Sequence, residues 1–269
     1  MSVQSLTFVC HGARLGIRAH DLCVLERASG LLPPAARIET LAQIDEWYEL
    51  SGGGGEPENP RPHRLQSGSE LIASSVELEP VLHELASRLH FAVARYARGS
   101  LFVHAGVVGW KERAILIPGS TLSGKTSLVR ALVRAGADYL SDEYAVLDHE
   151  GRVHPYPKAL SIRNAAGVAR LVPVEEIGGR AATTALPVGM IVSTRYEANG
   201  EWRPRVLSRG QALMVLIENT IIVREQPAFT MDTLARAVRD AAVLAGPRGE
   251  ASLMVDSLLS LNFPRCYLT

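Results

Sequence analysis

The sequence predicts an α/β protein with a mixed central sheet, preceded by a small β-rich N-terminal region. Three observations predict it. The octapeptide Gly119-Ser120-Thr121-Leu122-Ser123-Gly124-Lys125-Thr126 lies between the apolar run Ala114-Ile115-Leu116-Ile117 and a helical pattern over 127–135, with apolar positions 128, 129, 132 and 133. A second apolar stretch, from Asp138 to Asp148, is interrupted by two adjacent acids, Asp142 and Glu143. Alternating or apolar runs at 5–10, 14–18 and 42–50 fill the N-terminal part with expected strands.

Residues 1–76 read as the β-rich region, broken by Pro33-Pro34 and by a loop over 51–62 that holds four consecutive glycines and three prolines. Those glycines are not a phosphate cradle, because no helical pattern and no Lys-Ser/Thr pair follows; a flexible hairpin is expected. Over 77–97, Leu78, Val81, Leu82, Leu85, Leu89, Ala92, Val93 and Tyr96 recur at helical spacing. This helix is expected to pack on a sheet starting near Leu101, which puts the domain boundary at 76/77 and gives 77–269 to one catalytic domain. Gly136 stands where the next helix needs a left-handed C-terminal residue. Beyond Pro155-Tyr156-Pro157, late strands are expected at 188–193 and 203–207, and helices at 209–219 and 230–245.

Composition narrows the function classes. Lys+Arg and Asp+Glu are equal at 28 each, so no net field draws the chain to nucleic acid or to an anionic membrane. The three cysteines, Cys10, Cys23 and Cys266, have no C-x-x-C spacing, and a reducing cytoplasm is the expected home. No apolar run approaches membrane-spanning length, and the first residues lack a basic segment followed by an apolar core. His63, His83, His90, His149 and His154 form no metal-ligand pattern.

The octapeptide is a complete G-x-x-x-x-G-K-[ST] phosphate loop. In such a loop the amides from Gly119 through Ser127 converge on phosphate oxygens, helped by the positive end of the following helix. Lys125 reaches the outer phosphates and the Thr126 hydroxyl ligates Mg²⁺, so ATP and Mg²⁺ are the expected cofactors. Asp142 and Glu143 follow a short strand, and alternate strand residues point opposite ways. Asp142 is assigned to the acceptor hydroxyl as catalytic base and Glu143 mainly to the metal, with Asp142 close enough to share it. A solvated turn is the competing reading of this pair. Arg163 is a candidate phosphate clamp or, equally, a structural ion-pair partner.

In order along the chain, Val103-His104-Ala105-Gly106-Val107, the loop at 119–126, Ser141-Asp142-Glu143 and Leu160-Ser161-Ile162-Arg163-Asn164 resemble four elements of the HPr kinase/phosphorylase family. No gap is needed from His104 to Lys125 or from Lys125 to Asp142. The resemblance covers roughly residues 100–170. It implies a phosphoenolpyruvate-carboxykinase-like core, His104 as a further catalytic residue, transfer of phosphate to a serine-type hydroxyl, and a homo-oligomer. Ser127 and Ser161 stand where the family has glutamates, which implies a poorer metal shell and little reverse phosphorolysis. The pattern also resembles HPr-kinase-related proteins that act on peptides, so the expected acceptor is a peptide, for instance a modified precursor peptide, a small protein or a hydroxyl metabolite. A non-catalytic nucleotide binder and a nucleotide hydrolase stay open.

Overall fold

A computed structural model describes residues 3–56, 59–119, 123–163 and 169–261. The chain folds into two compact units, Met1–Gly99 and Ser100–Thr269. In the first, β1 (Gln4–Cys10) and β2 (Ala13–Ala19) form an antiparallel hairpin across His11-Gly12. Both turn residues have positive φ, 48° and 79°, a tight connection whose twist matches the strands. A Cβ at Gly12 would also lie 2.8 Å from the Cβ of Arg98, which makes glycine doubly necessary there. Asp21 caps α1 (Leu22–Ser29) by accepting from the Cys23 amide at 2.8 Å.

β3 (Arg37–Ile38), β4 (Glu46–Gly52), β7 (His63–Ser67) and β8 (Glu70–Ser75) complete a six-stranded sheet in the order β3-β1-β2-β4-β7-β8. Within the glycine-rich segment, β5 (Gly55–Glu56) pairs with β6 (Asn59–Pro60) as a minimal hairpin. The inward positions Phe8, Leu15, Ile17, Tyr48, Leu50 and Leu65 are buried, and α2 (Leu78–Tyr96) packs against β2, β7 and β8. Each such side chain contributes about 1.5–3 kcal/mol through removal from water. The helix therefore belongs to the first unit, and the boundary falls after Gly99 instead of at 76/77. Periodicity reveals an apolar helix face but not which sheet it meets.

The second unit opens with the long strand β9 (Ser100–Trp110), which turns into β10 (Arg113–Pro118), and α3 (Lys125–Arg134) begins within the glycine-rich octapeptide. Next come β11 (Asp138–Ser141), β12 (Tyr144–Asp148), β13 (Arg152–His154) and the separate hairpin β14 (Leu160–Arg163) with β15 (Ala169–Val172). β16 (Leu186–Tyr196), β17 (Arg205–Val206), α4 (Arg209–Ile217), α5 (Pro227–Val238), β18 (Ala242–Arg248) and α6 (Val255–Ser260) complete it. β10 is antiparallel to β9 and parallel to β16, while β9, β12, β13 and β16 pair in turn, so the mixed sheet closes a circuit on itself.

Both faces of this sheet are covered. Ala114 and Leu116 of β10 join a core with residues of α4 and α5, while Ile115 and Ile117 join another with residues of α3 and α6. That two-sided burial explains one correction: residues 242–245, read as the end of a helix, begin β18, parallel to β16. A strand covered on both faces reads as a continuous apolar run, which periodicity does not separate from a helix end. Among the described residues, no helix is long and apolar enough to cross a membrane.

Candidate functional site

β10, β16 and β18 run in one direction, and β11, like β10, is antiparallel to β9. Their carboxyl ends share one edge of the sheet. The 119–126 segment leaves β10 there, and Asp142 and Glu143 occupy the break between β11 and β12. Ser120, Thr121 and Leu122 lie outside the described residues.

His104 stands between the two. Its Nδ1 lies 3.0 Å from the Gly119 carbonyl oxygen, and its own carbonyl accepts from the Gly119 amide at 3.2 Å. A carbonyl oxygen only accepts, so Nδ1 carries the proton in this arrangement. Burial, with the Lys125 charge adding to it, pushes the imidazole pKa down and favours the neutral ring. His104 thus braces the start of the loop.

Lys125 is 7% exposed, and its Nζ donates to the same Gly119 carbonyl at 2.7 Å. Burial drives its pKa from 10.5 to about 8, against the opposing pull of Asp142 and Glu143. Gly124, at φ 85°, caps α3, and the Thr126 hydroxyl donates to Asp142 Oδ2 at 3.2 Å. Ser127 is exposed on the first turn of α3, and the Ser123 hydroxyl is buried without a hydrogen-bond partner among the described residues.

The two acids part company. Asp142 is 8% exposed, next to Thr126 and 3.2 Å from the Tyr139 hydroxyl, which donates to the Lys158 carbonyl at 2.6 Å. Burial first, and then Glu143, raise its pKa. Glu143 is half-buried and forms an ion pair with Lys158. The buried Ser141 hydroxyl fixes this break by accepting from the amides of Glu143 at 3.2 Å and Tyr144 at 3.0 Å. The geometry sets Asp142 against Thr126 and pairs Glu143 with Lys158. Residues 142 and 143 lie in a turn between strands, where period-two alternation no longer applies.

Ser161 is exposed on β14, and the Arg163 side chain lies outside the described residues. The oxygen set of Thr126 and Asp142, with a buried Ser123 hydroxyl that has no partner among the described residues, fits Mg²⁺ and phosphate: Mg²⁺ takes one or two carboxylates and fills its shell from substrate and water.

One residue of this site escaped the sequence reading. Arg248, at the end of β18, is 2% exposed and donates from Nη2 to the Gly124 carbonyl at 2.9 Å and from Nη1 to the Gly249 carbonyl at 2.8 Å. A Cβ at Gly124 would stand 2.3 Å from Nη2. No short motif links positions 124 residues apart, and the misread helix end hid the strand that delivers this arginine.

No protein-family model matches the chain, and no curated protein matches it. Among solved structures it is similar, weakly, to the Hpr(Ser) kinase/phosphatase from Coxiella burnetii, with 14% identity and a TM-score of 0.32 over 59% of this chain and 93% of that one.

Proposed function

We propose that the second unit is an ATP-dependent kinase that transfers a phosphoryl group to a serine- or threonine-type hydroxyl of a peptide, small protein or metabolite. The observation that carries this reading is the contact between Thr126, the last residue of the phosphate loop, and the buried carboxylate of Asp142. A hydroxyl and an acid joined under a phosphate loop are the protein half of a Mg²⁺–nucleotide site. Thr126 and Asp142 would hold Mg²⁺, which would supply neutralisation of the polyphosphate charge.

The chain's own residues divide the remaining work. Loop amides and Lys125 hold the polyphosphate, and its negative charge draws the Lys125 ammonium toward its charged form. Asp142, buried against Thr126, serves the metal side, which leaves the more accessible Glu143 for the acceptor. The acceptor oxygen forms a bond to the γ-phosphorus as the bond to the β,γ-bridging oxygen breaks. Glu143 takes the acceptor proton and ADP leaves with the bridging oxygen. Lys158, paired with Glu143, orients that carboxylate. Exposed Ser127 and Ser161 supply no carboxylate to the metal, so forward transfer is favoured over phosphorolysis.

The test incubates the protein with γ-labelled ATP, Mg²⁺ and hydroxyl-bearing peptides, and locates the label by mass spectrometry. Label on a peptide hydroxyl supports the kinase; free phosphate alone indicates a hydrolase, and bound but unreacted ATP a nucleotide-binding regulator.

A further inference from the structure

Arg248 is among the few charged side chains buried in this protein, and its surroundings are unusual. Its hydrogen bonds go to two neutral carbonyl oxygens, those of Gly124 and Gly249, and its Nε is buried without a partner among the described residues. It also stands at the N-terminus of α3, where the helix dipole is positive and where Lys125 is a second buried cation. The nearby Glu250 carboxylate offsets part of the cost of burying this charge, but burial outweighs it, and a buried charge bonded only to neutral groups is costly in the empty protein. A polyanion seated on the loop reverses that balance.

The contact with Gly124 has a directional consequence. Across a trans peptide the C=O and the next N–H point in opposite directions. Holding the Gly124 carbonyl toward Arg248 therefore turns the Lys125 N–H away from Arg248. The Gly124 carbonyl also accepts from the Leu128 amide at 3.3 Å, so the same oxygen ties the loop to the first turn of α3. Glycine is required at 124 both for φ 85° and because any Cβ would strike Nη2. The arginine comes from β18, whose terminal residue is paired in register with Tyr196 at the end of β16.

We propose that Arg248 is a positioning residue of the phosphate loop: it fixes the Gly124-Lys125 peptide with its N–H toward the bound polyphosphate, and adds its charge to the attraction for that anion. This rests on the nucleotide reading above. It extends the site beyond the loop motif to the third parallel strand of the sheet.

The test titrates inorganic tripolyphosphate and ATP, each with Mg²⁺, into wild type, Arg248→Met and Arg248→Lys, with circular dichroism as a check of folding. Arg248→Met is expected to lose about ten- to a hundredfold in affinity for both ligands, the worth of charge-assisted hydrogen bonds. Arg248→Lys keeps the charge but not the planar fork, and is expected to lose at least about fivefold. Millimolar ethylguanidinium should restore part of the binding to Arg248→Ala and leave wild type unchanged, a response that general loss of structure would not give. Equal affinity in wild type and folded Arg248→Met overturns the inference while leaving the kinase reading intact. If Arg248→Met does not fold, wild-type affinity in Arg248→Lys overturns it. Absence of binding by wild type overturns both readings together.

Discussion

Asp45 in the first unit and Asp142 in the second are both largely withdrawn from water, yet their partners differ in kind. Asp45 receives two hydrogen bonds of 2.9 Å from the Arg98 guanidinium, one of 3.2 Å from the Arg14 guanidinium and one of 2.8 Å from the Arg14 amide. Those partners, Arg98 above all, hold its carboxyl well below the usual carboxylate range. Asp142 accepts from the Thr126 hydroxyl and lies beside that of Tyr139, and burial with Glu143 nearby pushes its pKa up. Lys125 and His104 are likewise moved toward their neutral forms by burial. Charges in the first unit are paired so that they lower the energy of the fold. Asp142, Lys125 and His104 are instead held against their desolvation, a pattern frequent at functional sites.

The largest effect is expected at the acids of the second unit. Glu143→Gln removes the proposed acceptor-side base and should cut transfer to a verified acceptor by roughly 10²-fold or more while nucleotide binding survives. Asp142→Asn should lose transfer and raise the Mg²⁺ concentration needed for nucleotide binding. Full transfer by Glu143→Gln, with loss confined to Asp142→Asn, would restore Asp142 to the base role.

Next is the stability of the unliganded protein. Lys125→Met should weaken ATP binding sharply, yet raise the stability of the empty protein at pH 7 on the order of 1–3 kcal/mol, by removing a buried ammonium. Because the folded pKa of about 8 lies below the ordinary 10.5, the unfolded chain binds more protons between those values. The wild-type deficit is therefore full below pH 8 and shrinks as the pH rises to 10.5. Urea titrations of both proteins at pH 7 and pH 10 measure this; a less stable Lys125→Met would count against the comparison.

Asp45→Asn should act in the opposite sense. It is expected to cost about 1–2 kcal/mol near neutral pH, a modest figure because Arg98 is half exposed and screened by water. A depressed carboxylate pKa contributes stability that is present above the unfolded value of 3.8 and is lost as the pH falls through it toward the folded value. Wild type and variant should therefore converge in acid unfolding below about pH 4. The smallest effect is expected from Ser127→Glu, which adds a carboxylate on the exposed first turn of α3 and should tighten Mg²⁺ by about two- to fivefold; unchanged Mg²⁺ affinity would place Ser127 away from the metal.

Much of the second unit was legible because local rules and tertiary packing agree there. The run at 114–117, the glycine-rich turn and the apolar positions 128, 129, 132 and 133 lie in β10, the loop and α3. The first unit was less legible. α1 is a single short helix whose signal is one capping aspartate, and the partner of α2 depends on contacts with β7 and β8 that periodicity does not encode. Arg248 was invisible for a related reason, since its role arises from a parallel strand pairing and a contact across 124 positions of sequence. The divergence of Asp142 and Glu143 follows from a break between strands held by Ser141, which no residue spacing announces.

Calorimetric titration of ATP with Mg²⁺ into wild type, Lys125→Met and Asp45→Asn tests the difference between the two charge clusters most directly. One equivalent of nucleotide should bind to wild type and to folded Asp45→Asn with the same affinity, and Lys125→Met should bind far more weakly. Equal binding by wild type and Lys125→Met, or no binding by wild type, would contradict the account.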